Sequence, residues 1–216
     1  MFASMGPMAA LQASLFDTGS APGLRPLDGA LRRSPLGDGA WIDYLPGWVE
    51  RSDLLFEALV AEVPWRSDER VMYDRTVAVP RLVAHYDAGA ALPHPLLDGA
   101  RSALAEHYRG QPGGDLATTG LCCYRDGRDS VAWHGATVGR GATGSPLVAI
   151  VSLGWPRRLH LRPNHGDGRT RTFALGGGDL LVMGGSCQRT WQHAVPKTAR
   201  SVGPRVSVQF RPLGVR

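Results

Sequence analysis

Two histidines and two arginines carry most of the chemistry this chain has to offer. His134 closes the alternating stretch SVAWH, and His193 stands in TWQHAVP just after the turn GGS, so a sheet can deliver both to one end. Paired neutral imidazoles are ligands for a divalent metal ion, although any one of the chain's seven histidines is by itself more often a surface or packing residue. The stretch SVAWHGATVGR, Ser130 to Arg140, therefore poses a question: HGA is either a metal motif short of one ligand or an ordinary strand end. The segment RVSVQFR alternates without a break, with Val206, Val208 and Phe210 on one face and Arg205, Ser207, Gln209 and Arg211 on the other. One face is core, and the other is polar and doubly cationic. At about 3.3 Å per residue the two arginines lie up to roughly 20 Å apart, so they mark two ends of a pocket rather than one carboxylate clamp. On a lone strand, a solvated polar face is the simpler alternative.

The elements that position these residues follow from periodicity. WVERSDLLFEALVAEVPW places Leu54, Leu55, Ala58, Leu59 and Val63 at helical spacing, and that helix ends before Pro64. RTVAVPRLVAHY reads as extended chain, and HPLLDGARSALAEHYRG as a second helix stopped by Gly110. Beyond it helices end. GLCCYRDGRDSVAWH reads as two short strands joined by a turn, and PLVAIVSLG, RRLHLRP, RTFAL, GDLLVMGG and RVSVQFRP supply further strands between Gly- and Pro-bearing turns. No fixed-period repeat argues for a propeller or solenoid. Residues 1–38, rich in Gly, Ala, Pro and Ser, are expected to form a mobile arm, with one domain over 39–216. The expected fold is mainly β with flanking helices, a sandwich or jelly roll whose inner sheet face lines a pocket.

Bulk composition narrows the classes. A chain of 216 residues with 43% hydrophobic and 20% charged residues, 28 Gly and 16 Pro suits one turn-rich globular domain. A formal net charge of +5 favours polyanions only weakly. The N-terminal MFASMGPMAALQASLFDTG lacks a basic leader region, and no run of about 18 apolar residues occurs, so neither secretion nor membrane spanning is expected. Cys122, Cys123 and Cys187 lack zinc-site spacing and make a poor disulfide framework; each is read as a small buried hydrophobe. A monomer in a reducing cytoplasm is expected.

Several ordered motifs together are more specific than any one. DSVAWHGA, GDLLVMGGSCQRTWQHAVPK and RVSVQFRP, with VPWRSDERVMYDR and VPRLVAHY upstream, resemble the AlkB family of 2-oxoglutarate- and Fe(II)-dependent dioxygenases over about Trp41 to Pro212. The resemblance implies a double-stranded β-helix, Fe(II) with 2-oxoglutarate as cosubstrate, and oxidative removal of N-alkyl groups from bases of DNA or RNA. It implies two histidines and one carboxylate on the iron, with His134 and His193 at the histidine positions. The carboxylate position is Ala136. Arg205 matches the arginine that pairs with the distal carboxylate of the cosubstrate, Tyr124 a tyrosine that contacts it, and Arg211 a second arginine near the metal end. Two asparagines of the family pattern are replaced, one by Cys122 and the other by Ser207, so the grip on the cosubstrate is altered.

A methyl group cannot coordinate iron, so Ala136 answers the question posed by HGA: the motif lacks its anionic ligand. Three explanations are open. The chain is an impaired dealkylating enzyme, or a relative that keeps only nucleic-acid binding; or chloride fills the gap, as in related halogenases; or a nearby acid, Asp129 or Asp179, reaches in. On the substrate side an extruded base wants aromatic and cationic walls, and Trp65, Tyr73, Arg81 and Tyr86 lie in the segment that resembles the nucleotide-recognition lid. Arg125, Arg128 and the arginines between Arg157 and Arg171 are candidates for phosphate contact.

Overall fold

A computed structural model describes residues 21–72, 75–135, 145–165 and 168–215, with backbone alone for 68–72 and 75–79. The first helix, α1 (Ser52–Glu62), buries Leu55 and Leu59, and the second, α2 (Pro95–His107), buries Leu97, Ala100 and Leu104. Both stripes follow the 3.6-residue period, and α2 starts where Pro95 fits the first turn and the His94 ring accepts a hydrogen bond from the Leu96 amide at 3.1 Å.

The remaining chain is antiparallel sheet. The large sheet holds β2 (Arg32–Gly37), β3 (Ala40–Leu45), β5 (Arg66–Met72), β6 (Arg75–Tyr86), β7 (Leu116–Tyr124), β9 (Val148–Gly154), β12 (Asp179–Gly185) and β14 (Arg205–Pro212), in the order β2-β3-β12-β9-β14-β7-β6-β5. The smaller sheet runs β11-β10-β13-β8, from Arg171–Leu175, Arg157–Pro163, Trp191–Val195 and Val131–His134. A two-stranded piece pairs β1 (Gly23–Leu24) with β4 (Val49–Glu50). The expected jelly roll is what forms. A one-turn helix, α3 (Cys187–Thr190), interrupts the run of strands where no further helix was expected.

Strand period divides the core in two. Leu121, Cys123, Val151, Leu153, Val206, Val208 and Phe210 face the helices, against Leu55, Leu59, Leu97 and Leu104. Tyr124, Val148, Ile150, Leu159, Leu161, Leu181, Met183, Trp191 and Val195 fill the space between the sheets. Each fully buried Leu or Val is worth about 1.5–3 kcal/mol, so the alternation fixes register: a one-residue slip in β14 would turn its arginines into the helix-side core.

One expectation is corrected. The arm expected over residues 1–38 gives way to structure from Gly23: β1 pairs with β4, and β2 is the edge strand of the large sheet. Composition missed this because the anchoring is tertiary. Arg33 makes a two-pronged ion pair with buried Asp43 at 2.8 Å on each prong, and its guanidinium lies 3.8 Å over the Trp41 ring. The two strands expected on either side of the turn RDGRD both form, β7 in the large sheet and β8 in the small one. That turn carries the chain from one sheet to the other. No helix among the described residues is long and apolar enough to cross a membrane.

Candidate active site

The inward row of β14 sets one wall of the roll. Arg205, Ser207 and Gln209 are buried there, so the solvated-face alternative for this strand is overturned. Arg205 is only 2% exposed. Its Nε donates to Ser152 Oγ at 2.9 Å, its guanidinium lies 5.2 Å over the Tyr124 ring, and its Nη1 has no partner among the described residues. Burial lowers the Arg205 pKa and the like charge of Arg157 adds to that, while Tyr124 and Cys122 oppose it. A guanidinium still keeps its proton, so the pocket holds an unneutralised cation. Burial pushes the Tyr124 phenol up to about 12, which keeps it a neutral hydrogen-bond donor.

The metal-type pair sits on the facing sheet. His134 of β8 and His193 of β13 are cross-strand partners, and their ring centroids are 4.1 Å apart. Two imidazoles this close can bind one ion. The His134 Nδ1 lies 2.9 Å from the Ala132 carbonyl, which only accepts, so that contact places the proton on Nδ1 and leaves the lone pair on Nε2. Burial, then His134 beside it and Arg211 opposite, hold the His193 pKa well below the ordinary imidazole value, so the ring is neutral and able to ligate. No cluster of three or more His, Cys, Asp or Glu suited to a metal exists among the described residues. Ala136 and Tyr73 lie outside those residues.

The loop between β7 and β8 is held by side chains that strand patterns do not reveal. Arg157, buried, donates to the carbonyls of Asp126 and Asp129 at 2.9 Å and of Pro196 at 2.8 Å. It thereby ties the segment before His134 to the segment after His193. Arg81 donates to the Ser130 carbonyl at 3.2 Å on the same loop, and its charge bears on Arg211 and Tyr124. Arg81 is thus brought to the site.

Other expected residues are placed elsewhere. Trp65 and Tyr86 pack against the helix-side core, away from the interior between the sheets, because Tyr86 shares the parity of Leu82 and Ala84 on β6. Asp129 cannot replace the missing ligand: it accepts two hydrogen bonds from the Arg125 side chain at 2.8 and 2.9 Å and one from the Arg125 amide. Asp179 is equally committed, accepting from the Tyr44 hydroxyl at 2.7 Å and the amides of Gly47 and Gly176. The phosphate footprint expected here is narrowed, since Arg125 is paired with Asp129, Arg128 with Asp126, and Arg157 is buried, while Arg158, Arg169 and Arg171 are exposed. Cys123 and Cys187 are buried as expected, whereas Cys122 is half-buried and its thiol faces Gln209 Oε1 at 3.8 Å. Ser152 and Gln209 are the site residues that sequence reasoning gave no role, and Arg157 was given a different one; for Gln209 the inward parity of β14 was the available signal.

A jelly roll with two adjacent imidazoles on its small sheet and a buried guanidinium on its large one has the donor types that suit a metal ion and a small carboxylate. Known proteins agree with this class. A family model for the 2OG-Fe(II) oxygenase superfamily matches residues 43–211, and the chain belongs to that superfamily. Its sequence relatives are AlkB homologues. The alpha-ketoglutarate-dependent dioxygenase alkB homolog 3 of Bos taurus is 32% identical over 194 residues, covering 77% of this chain and 64% of that protein. The Homo sapiens protein of the same name is 31% identical, with the same coverage. The DNA oxidative demethylase ALKBH2 of Arabidopsis thaliana is 27% identical over 213 residues, covering 82% of this chain and 67% of that one. The chain thus spans somewhat under two thirds of the length of the alkB homolog 3 proteins, 64%. Among solved structures, that titled "The structure of OsALKBH1" superposes with a TM-score of 0.54 at 12% identity, covering 84% of this chain and all of the other. An oxidoreductase of the 2OG-Fe(II) oxygenase family from Burkholderia pseudomallei gives 0.53 at 12% identity, covering 79% and 84%. At that identity they establish the fold alone.

Proposed function

We propose that this chain is an AlkB-type oxygenase acting on N-alkylated bases of nucleic acid, with an iron site weakened because Ala136 stands where the carboxylate ligand belongs. The observation that carries the reading is Arg205, a buried cation whose Nη1 lacks a partner among the described residues. Such a group is expensive to bury alone, and a carboxylate from a small dicarboxylic acid would satisfy it with two parallel hydrogen bonds. 2-Oxoglutarate fits that requirement, and His134 with His193 fit two ligand positions of Fe(II). When bound, the two together would let dioxygen serve as the oxidant of an alkyl carbon, 2-oxoglutarate being oxidised to succinate and carbon dioxide at the same time. The protein's own contribution is positional. Ser152 aims Arg205, the neutral Tyr124 offers a donor, and Arg157 holds the loops that carry the two histidines in place.

The nucleic-acid substrate rests on the relatives, whose names include a DNA oxidative demethylase, and on Arg81 at the edge of the site. With Trp65 and Tyr86 engaged in packing, Arg81 and Tyr73 are the residues left from the expected recognition set. We also read the protein as a monomer working in a reducing cytoplasm, which its three free thiols suit. The test is succinate and formaldehyde release on a methylated oligonucleotide, measured for this chain and for Ala136→Asp. Activity gained by at least tenfold with Asp supports the weakened enzyme. Binding of the oligonucleotide with no turnover in either form makes the chain a binding protein instead, and chloride-dependent turnover of the Ala form alone makes it a halogenase.

A further inference from the structure

Gln209 is bonded through both ends of its amide inside the roll. Its Nε2 donates to the Ser207 carbonyl at 2.8 Å and to Ser207 Oγ at 2.7 Å. Its Oε1 accepts from Arg211 Nη2 at 3.2 Å and faces the Cys122 thiol at 3.8 Å. An amide has two N–H donors and two lone pairs, so all of its capacity is taken by the protein. Gln209 therefore has nothing left for a ligand and acts through the groups it holds. Its cross-strand partner is Gly120 on β7. A Cβ there would lie 2.8 Å from Arg211 Nη1 and 3.2 Å from Gln209 Oε1, so the guanidinium rests over bare backbone.

Arg211 is a half-buried cation whose charge is felt by His193, Tyr124 and Cys122. Of its five N–H donors, Gln209 takes one. A free arginine side chain carries substantial rotamer freedom, and fixing it before a ligand arrives removes that entropy loss from binding. Both positions where the sequence departs from the family's asparagines, Cys122 and Ser207, are bonded to this same amide.

We propose that Gln209, seated over Gly120, is a positioning residue that pins the Arg211 guanidinium for a carboxylate of the 2-oxoacid cosubstrate. The inference rests on the cosubstrate assignment made under Proposed function. Its test is calorimetric titration of the full-length chain with 2-oxoglutarate, with and without Mn(II), alongside Mn(II) affinity and thermal melts. Gln209→Met keeps length and packing but loses every bond, and is expected to weaken 2-oxoglutarate by about tenfold through freed arginine rotamers. Gln209→Glu puts a competing carboxylate against Arg211 and is expected to weaken it by about a hundredfold. Mn(II) affinity stays within twofold in both. Gly120→Ala keeps the Gln209 side chain itself, crowds the arginine tip most and Gln209 Oε1 less, and lowers affinity in the same direction, which keeps the test decisive should either Gln209 variant fold poorly. Equal affinities for all three variants and the parent overturn the proposal, as does a loss of the same size in Met and Glu accompanied by lowered melting. A parent chain that binds no 2-oxoglutarate at all overturns the cosubstrate assignment itself, and this inference with it.

Discussion

Charge is buried on both sides of the large sheet, but the two sides treat it differently. On the helix side, Asp43 is 3% exposed and fully engaged, taking two hydrogen bonds from Arg33 and one from the Tyr108 hydroxyl at 2.8 Å. Between the sheets, Arg205 is as deeply buried, and among the described residues it meets a serine hydroxyl and the Tyr124 side chain but no carboxylate. A closed network of the first kind ties β2, β3 and α2 together. An open one of the second kind adds strain to the empty protein that a ligand can relieve. Burial of charge thus marks structure where the partners are internal and function where they are missing.

Breaking each side should give opposite results. Asp43→Ala strands the Tyr108 hydroxyl and the Arg33 guanidinium, and is expected to lower stability by about 3–4 kcal/mol in urea titrations while the folded fraction still binds 2-oxoglutarate normally. Arg205→Met is expected to do the reverse. Binding of 2-oxoglutarate should weaken by about a hundredfold, roughly 2.7 kcal/mol, with no fall in melting temperature because an unpaired buried cation has gone. A fall of several degrees in Arg205→Met would mean that the guanidinium is structural.

A smaller effect sharpens the picture at Tyr44, whose hydroxyl donates to Asp179. Burial first, and then Asp179, push its pKa to about 12, above the usual phenol value of 10. A pKa raised by folding gives stability that is complete below pH 10 and is lost as pH climbs toward 12. Tyr44→Phe should therefore lose about 1 kcal/mol at neutral pH and show a shallower decline between pH 9 and 11.5 in urea titrations than the parent. An identical alkaline decline in both proteins would remove Tyr44 from the account.

How much of this was legible beforehand varies with how local the cause is. The β14 alternation gave both the strand and its two faces, since a period of two is written residue by residue. The helical stripes of α1 and α2 were equally plain. Trp65 and Tyr86 were misplaced because aromatic type says nothing of which face a strand or its flank presents. Asp129 and Asp179 looked free in sequence, yet a loop arginine claims one while a distant tyrosine and glycine help to claim the other. In the string RRLHLRP, Arg157 shares the inward parity of Leu159 and Leu161 and Arg158 does not, but parity could not tell that three carbonyls wait for the inward guanidinium.

The sequence by itself determined the jelly roll, the family, the two histidines and the inward arginines, because motif order and strand period are properties of the chain read in one dimension. Only the tertiary structure decided which charges are answered and which are left waiting. That depends on partners brought together from up to 135 residues apart, as with Tyr44 and Asp179, and no local pattern encodes the pairing. The interior row of β14 shows both at once: its parity was written in the residues, while the bond from Arg205 to Ser152 and the shared amide of Gln209 arose only when the strands met.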